Sequence, residues 1–206
     1  MLKRYLRELY GEKYTYVCEE MLEGIMDAIF GIIAENDYDK IYDGMPIYAG
    51  FTVYKLNRYD DMYEILAPDF SDNDPTTAFK TDLTESFLIE YRQASLVSGL
   101  GLVGRPFHST ETVFVEKGAL EAEEVIMTRK TTDDGSHWEI VKIKCYDDEP
   151  EKTSAKPEFD EIPACMLVKD HSWAADVLAL PDNYSVKFKK GEIKKIYSDN
   201  KKKLYG

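Results

Sequence analysis

Apolar residues in the first part of the chain recur at helical spacing. Leu2, Tyr5, Leu6 and Leu9 share one face before Gly11, which predicts a short amphipathic helix. Tyr14, Val17, Met21, Leu22, Ile25, Met26, Ile29, Phe30 and Ile33 continue the pattern, with Glu19, Glu20, Glu23, Asp27 and Glu35 mostly opposite. That stretch predicts a second, longer helix. Gly24 and Gly31 fall on nearly one face of it, and each weakens a helix by about 1 kcal/mol relative to Ala, so packing has to compensate.

The period changes at Pro46. Ile47–Tyr54 is rich in aromatic and β-branched residues and predicts a strand, with Tyr63–Ala67 as its hairpin partner across Asp60 and Asp61. Pro68–Pro75 has the composition of a loop. Asp82, with Glu85 three residues on, supplies an N-cap signal for a long central helix to about Ser98, carrying a stripe of Leu83, Phe87, Tyr91 and Ala94. Beyond Gly104-Arg105-Pro106 the chain turns β-rich. Strands are expected at Thr112–Glu116, Val125–Arg129 and His137–Lys144, the last two joined through Asp133-Asp134-Gly135. Asp147 to Glu161 is acidic and poor in apolar residues, so a loop is expected there. A strand at Ala164–Val168, a short helix at Ser172–Leu180 and a hairpin about Lys190-Gly191 follow, with a frayed Lys201-Lys202-Lys203. The expected fold class is therefore α+β: N-terminal helices, antiparallel hairpins, one long central helix and a smaller β-rich C-terminal part. Its boundary is placed between an N-terminal domain at 1–118 and a C-terminal one at 119–206.

Composition adds mainly charge. The 206 residues carry a net −13, yet Lys187 to Lys203 holds eight lysines against Glu192 and Asp199, leaving −19 on the rest. Such a field repels nucleic acid and anionic membranes and attracts basic partners at rates that fall with salt. No stretch approaches the roughly 18–20 apolar residues of a membrane helix. The N-terminus lacks the apolar core of a signal peptide. Three widely spaced cysteines form no disulfide framework, so a cytoplasmic location is expected.

Motifs that could carry chemistry lack the context they need. Gly99-Leu100-Gly101-Leu102-Val103-Gly104 spells G-x-G-x-x-G and is followed by Glu123, but it comes after a helix rather than opening one. It reads as a helix terminus and turn. Asp69, Asp72 and Asp74 resemble the start of a calcium loop, but Thr77 and Leu83 stand where Gly and Glu are required. His137, Cys145, Cys165 and His171 have no short metal-ligand spacing. Asp170-His171-Ser172 has the residue types of a hydrolase triad, but neighbours in sequence cannot form that relay. Trp138 and Trp173 are assigned to packing. No cofactor is expected.

Two stretches carry a family resemblance. Ile65-Leu66-Ala67-Pro68-Asp69-Phe70 is followed by Thr81-Asp82-Leu83-Thr84 opening a helix with Gln93. Leu178-Ala179-Leu180-Pro181-Asp182-Asn183-Tyr184-Ser185-Val186 is followed by Gly191-Glu192-Ile193 and Ile196-Tyr197-Ser198-Asp199. Together with a Ser136-His137-Trp138 hairpin, in which His137 replaces an expected Gly, they resemble a group of uncharacterised bacterial cytoplasmic proteins grouped with the immunity proteins of polymorphic toxin systems. The match covers about a quarter of the chain and brings no catalytic residue. It implies a non-catalytic protein that covers a cognate toxin, often a basic nuclease. An acidic, aromatic-rich surface suits that role. The expected contact residues are Glu19, Glu20, Glu23, Asp60, Asp61, Asp69, Asp72 and Asp74, and the expected partner is a basic toxin domain, with no direct nucleic-acid or membrane binding. Two alternatives stand beside it. One is an enzyme whose site gathers Arg105, His108 and the Gly99–Gly104 turn in a deep pocket with a shifted titratable group. The other is an acidic mimic of nucleic acid.

Overall fold

The computed structural model describes residues 1–35, 40–133, 135–143 and 157–206. Of these residues 42% are in strands and 23% in helices, so the expected α+β class is overturned: the protein is mostly sheet. Its strands form two mixed sheets, accompanied by three short helices.

The first correction lies at the N-terminus, where the predicted helices give way to a hairpin. β1 (Leu2–Leu9) pairs antiparallel with β2 (Glu12–Glu19), from Leu2 opposite Glu19 to Leu9 opposite Glu12. The two-residue turn takes Tyr10 at φ 53° and Gly11 at φ 82°, the left-handed pair that a hairpin twisting with its strands requires. The inward positions Tyr14, Tyr16 and Cys18 alternate, and Tyr5 stacks on Tyr16 at 5.3 Å. Only the second half of the predicted long helix is helical. A 3₁₀ turn at Glu20–Ile25 leads into α1 (Met26–Glu35), which buries Met26, Ile29 and Ile33.

Ile47–Tyr54, expected as one strand, is two. β3 (Pro46–Ala49) turns at Gly50 into β4 (Thr52–Tyr59), which pairs antiparallel with β5 (Met62–Pro68). β6 (Phe79–Lys80) adds to β5. The first sheet runs β1-β2-β5-β4-β3, and β2 meets β5 in parallel, Tyr14 opposite Tyr63. Its inner face buries Tyr14, Tyr16, Tyr54, Leu56, Tyr63 and Ile65 against α1, Leu83 and Phe87.

Among the described residues there is no long central helix. In its place α2 (Thr84–Gly99) has 16 residues and serves both cores. Phe87 enters the first, while Ile89 and Val97 enter the second. Seven strands of the described residues make the second sheet. β7 (Thr112–Glu116), β8 (Glu124–Thr132), β9 (Gly135–Lys142), β10 (Phe159–Pro163), β11 (Ser185–Lys189), β12 (Glu192–Tyr197) and β13 (Lys203–Tyr205) run in the order β10-β7-β9-β8-β11-β12-β13. Here β7 and β9 are parallel, so the sheets are not built from antiparallel hairpins alone. β13 pairs with β12 where fraying was expected, and β10 occupies the end of the expected 147–161 loop. The rest of that loop up to 156 lies outside the described residues, as do Lys144 and Cys145. The strand expected at Ala164–Val168 is instead the start of α3 (Met166–Ala175), kinked at His171.

The second core packs Val113, Met127, Trp138, Ile140, Val186 and Phe188 against α3 and the Val177–Leu180 turns. Trp138 is fully buried and donates its Nε1–H to the Leu178 carbonyl at 3.2 Å, which satisfies the one polar atom of the ring. No helix among the described residues is long and apolar enough to cross a membrane.

Candidate functional site

Two concave regions stand out. The first is a shallow hollow of about 480 Å³ on the outer face of the first sheet, formed by Arg4, Leu6, Thr15, Tyr59, Met62 and Glu64. β1, β2, β5 and β4 lie side by side in that order, so the outward side chains of four strands meet there. Leu6 on β1 and Tyr59 on β4 are 62% and 60% exposed, at its two sides. The Tyr59–Met62 turn carries Asp60, at φ 52°, and Asp61 to the rim. Arg4 pairs with Glu64 at 3.2 Å across the hollow, and Lys13 with Asp61 at 2.8 Å beside it.

The acidic residues singled out in the sequence do not gather into one patch. Glu20 and Glu23 are neutralised from β1, by Lys3 and Arg7 respectively, and Glu23 also accepts the Tyr16 hydroxyl at 3.0 Å. The Lys3 and Lys13 ammonium groups hold the Glu20 and Asp61 carboxyls below the usual range. Glu19 donates its backbone N–H to the Thr84 hydroxyl oxygen at 3.1 Å. Asp69, Asp72 and Asp74 share a loop on another part of the surface and mainly shape it. Asp69 accepts from Ser71 and from Lys80 at 3.1 Å; Asp72 accepts the Asp74 N–H at 2.9 Å; Asp74 accepts from Thr76 and Thr77. The lysine hairpin is likewise spent internally: Lys187 and Lys189 pair with Glu124 at 2.6 and 3.0 Å.

The second region is a cleft of about 640 Å³ between α1, the β3–β4 turn, α2 and the glycine turn that ends α2. Gly101, at φ 67°, closes the helix, donating its N–H to the Ser98 carbonyl at 2.9 Å. Gly101 and Gly104 then form one wall with Leu102 and Pro106, while Ala28 and Ile32 of α1 face them. Glu90 and Gln93 project from the inner side of α2. Gln93 is buried and donates to the Ala175 carbonyl at 2.7 Å, tying α2 to the end of α3. The Glu90 carboxylate accepts the Tyr54 hydroxyl at 2.9 Å. Burial pushes its carboxyl up to about 7, against Tyr54 and Thr52, which favour the anion. Gly50 makes this arrangement possible: its φ is 57°, and a Cβ there would stand 3.2 Å from the Glu90 Cδ.

Of the groups expected around the glycine turn, only the glycines line the cleft. Arg105 turns away to Asp182, and the His108 ring is held by the Gly50 carbonyl at 2.9 Å and by Tyr48. Glu90 escaped notice as one of 39 acidic residues, because its burial is created by a turn forty residues earlier. Cys18 and Cys165 are buried, with thiols pushed up to about 11 by that burial. Among the described residues no group of three or more His, Cys, Asp or Glu could hold a metal ion.

Arg129 was missed altogether. It is 1% exposed, and its guanidinium donates to the carbonyls of Arg105, Pro106, Leu178 and Leu180 at 2.8 to 3.1 Å, with Asp182 as counter-ion at 3.1 Å. Burial, then the charge of Arg105, lowers it to about 10. The segments it holds carry Pro106 and Ala179 into the cleft wall. Compared with protein-family models, curated proteins and solved structures, the chain matches none.

Proposed function

We propose that the protein is a non-catalytic, cytoplasmic binding protein of the immunity type, which inhibits a cognate basic toxin by covering it. The observation that carries this reading is the hollow on the first sheet: exposed Leu6 and Tyr59 beside Asp60 and Asp61. Apolar and aromatic anchors ringed by charge are what a protein partner uses for affinity, and a −13 molecule selects a basic one. The resemblance of the Ile65–Phe70 and Leu178–Val186 stretches to toxin-immunity proteins points the same way.

The expected contact surface narrows accordingly to Asp60, since Asp61 is itself engaged by Lys13 at 2.8 Å. Glu20 and Glu23 are engaged by their own lysine and arginine, and Asp69, Asp72 and Asp74 belong to a separate loop. The test is capture of a toxin module encoded beside this chain, at low and high salt, by the wild type and by Leu6→Glu and Tyr59→Ala. Protection of cells from that toxin, lost in both variants, is the expected outcome. Capture that ignores both substitutions, or no protection by the wild type, would overturn the reading.

The cleft with Glu90 favours a second reading, a site for small-molecule chemistry next to the glycine turn. It carries no nucleophile–base pair, so binding is the part of that reading it supports.

A further inference from the structure

We propose that the cleft between α1, the β3–β4 turn and the end of α2 binds a small organic cation, an ammonium group on an aliphatic body. Four features of the cleft lead there. Among the described residues Glu90 is its one lining carboxylate, and no Lys, Arg or His forms an ion pair with it. A carboxylate withdrawn from water without a counter-charge is costly, and a ligand cation would restore the missing partner.

The remaining lining is apolar where a ligand body would lie: Ile32 on one side, Val97, Leu102 and Pro106 on the other. Among the described residues no lining side chain carries a positive charge, and the Gln93 amide N–H is already given to Ala175. An anionic ligand would therefore meet a carboxylate with nothing to offset it.

The volume of about 640 Å³ lies within the roughly 300–1,000 Å³ of small-molecule sites. The site is also built in advance. Gly50 abuts the Glu90 side chain, Tyr54 anchors its Oε1, and the Arg105 N–H holds the Ala179 carbonyl at 2.9 Å across the far wall. Little has to be ordered when a ligand enters.

The probe is n-hexylammonium chloride, with n-hexanol as its neutral counterpart, titrated at pH 8 into the full chain and followed by calorimetry. Hexylammonium is expected to bind saturably, and hexanol at least about tenfold more weakly, because only the charged head gains from the carboxylate. Glu90→Gln should weaken hexylammonium by about tenfold or more and leave hexanol unchanged. Ala94→Trp, at an exposed α2 position on the cleft, should block both while the urea midpoint stays near that of the wild type. Absence of saturable hexylammonium binding would overturn the proposal. So would equal affinity for the two probes, or a folded Glu90→Gln protein that binds hexylammonium as the wild type does.

Discussion

Replacing Glu90 by Gln should stabilise the protein at alkaline pH and much less in mild acid. The carboxyl ordinarily titrates at 4.5, and burial beside Gly50 and Tyr54 raises it to about 7 in the folded state. Between those values the native protein holds a proton that the unfolded chain has lost, so stability falls as pH rises through the window. The difference of about 2.5 pH units corresponds to about 3 kcal/mol, fully lost by pH 8. Other carboxylates run the opposite way. Glu20 and Asp61, lowered by Lys3 and Lys13, add stability as pH climbs through the acid range. Asp176, raised by burial against the pull of Arg92, shares the sign of Glu90. All of them are present in both proteins, as are Tyr54 and His108 around the cleft, so the difference between variant and wild type isolates Glu90. Urea unfolding of both at pH 5, 6, 7 and 8 gives that difference directly. It should start just under about 1 kcal/mol at pH 5 and grow to about 3 kcal/mol in favour of Glu90→Gln. A difference that stays flat across the series would refute the reasoning, because it would mean that the carboxylate is not held away from water.

Further outcomes follow from the packing. Arg129→Lys should cost about 3 kcal/mol in urea unfolding, because an ammonium group cannot reach four carbonyls that a planar fork satisfies together. Gly50→Ala should cost about 1–2 kcal/mol by the same measurement, from its φ of 57° and the contact with Glu90. Gly191→Ala, at φ 74° and with a Cβ only 3.0 Å from Trp173, should lower the melting temperature and alter the Trp173 fluorescence. In a Cys145→Ser background, Cys18 and Cys165 should resist a thiol reagent at pH 8 until urea unfolds the chain, since both are buried and mostly protonated at that pH.

Where turn chemistry and strand composition agreed, the elements were readable in advance. β8 ends at Thr132 and β9 begins at Gly135, and β11 and β12 flank Lys190-Gly191 as expected. The N-terminus misled because Leu2, Tyr5, Leu6 and Leu9 fit a helical spacing, whereas in β1 they divide between the two faces, Tyr5 and Leu9 toward the core and Leu2 and Leu6 outward. The deciding signal was Tyr10-Gly11, a two-residue loop ahead of the β-rich Tyr-Thr-Tyr-Val-Cys. Arg129 was legible in principle, for it continues the inward alternation of Val125 and Met127 and so points a cation into a core. Glu90 was not. Its neighbours in sequence say nothing of Gly50 and Tyr54, and only the pairing of β3 with β4 brings those residues to it. The hollow on the first sheet required β2 to lie parallel to β5, an adjacency that no local pattern announces.

The manner in which Arg129 is satisfied has a consequence for how the cleft can change. Its guanidinium grips main-chain oxygens at Arg105, Pro106, Leu178 and Leu180, and those atoms are the same whatever side chains the residues carry. Positions 102 and 179 can therefore trade size and shape while the loops that present them keep their course. The wall opposite Glu90 combines a fixed frame with an exchangeable lining, so selectivity for one cation over another can be rewritten there without rebuilding the fold.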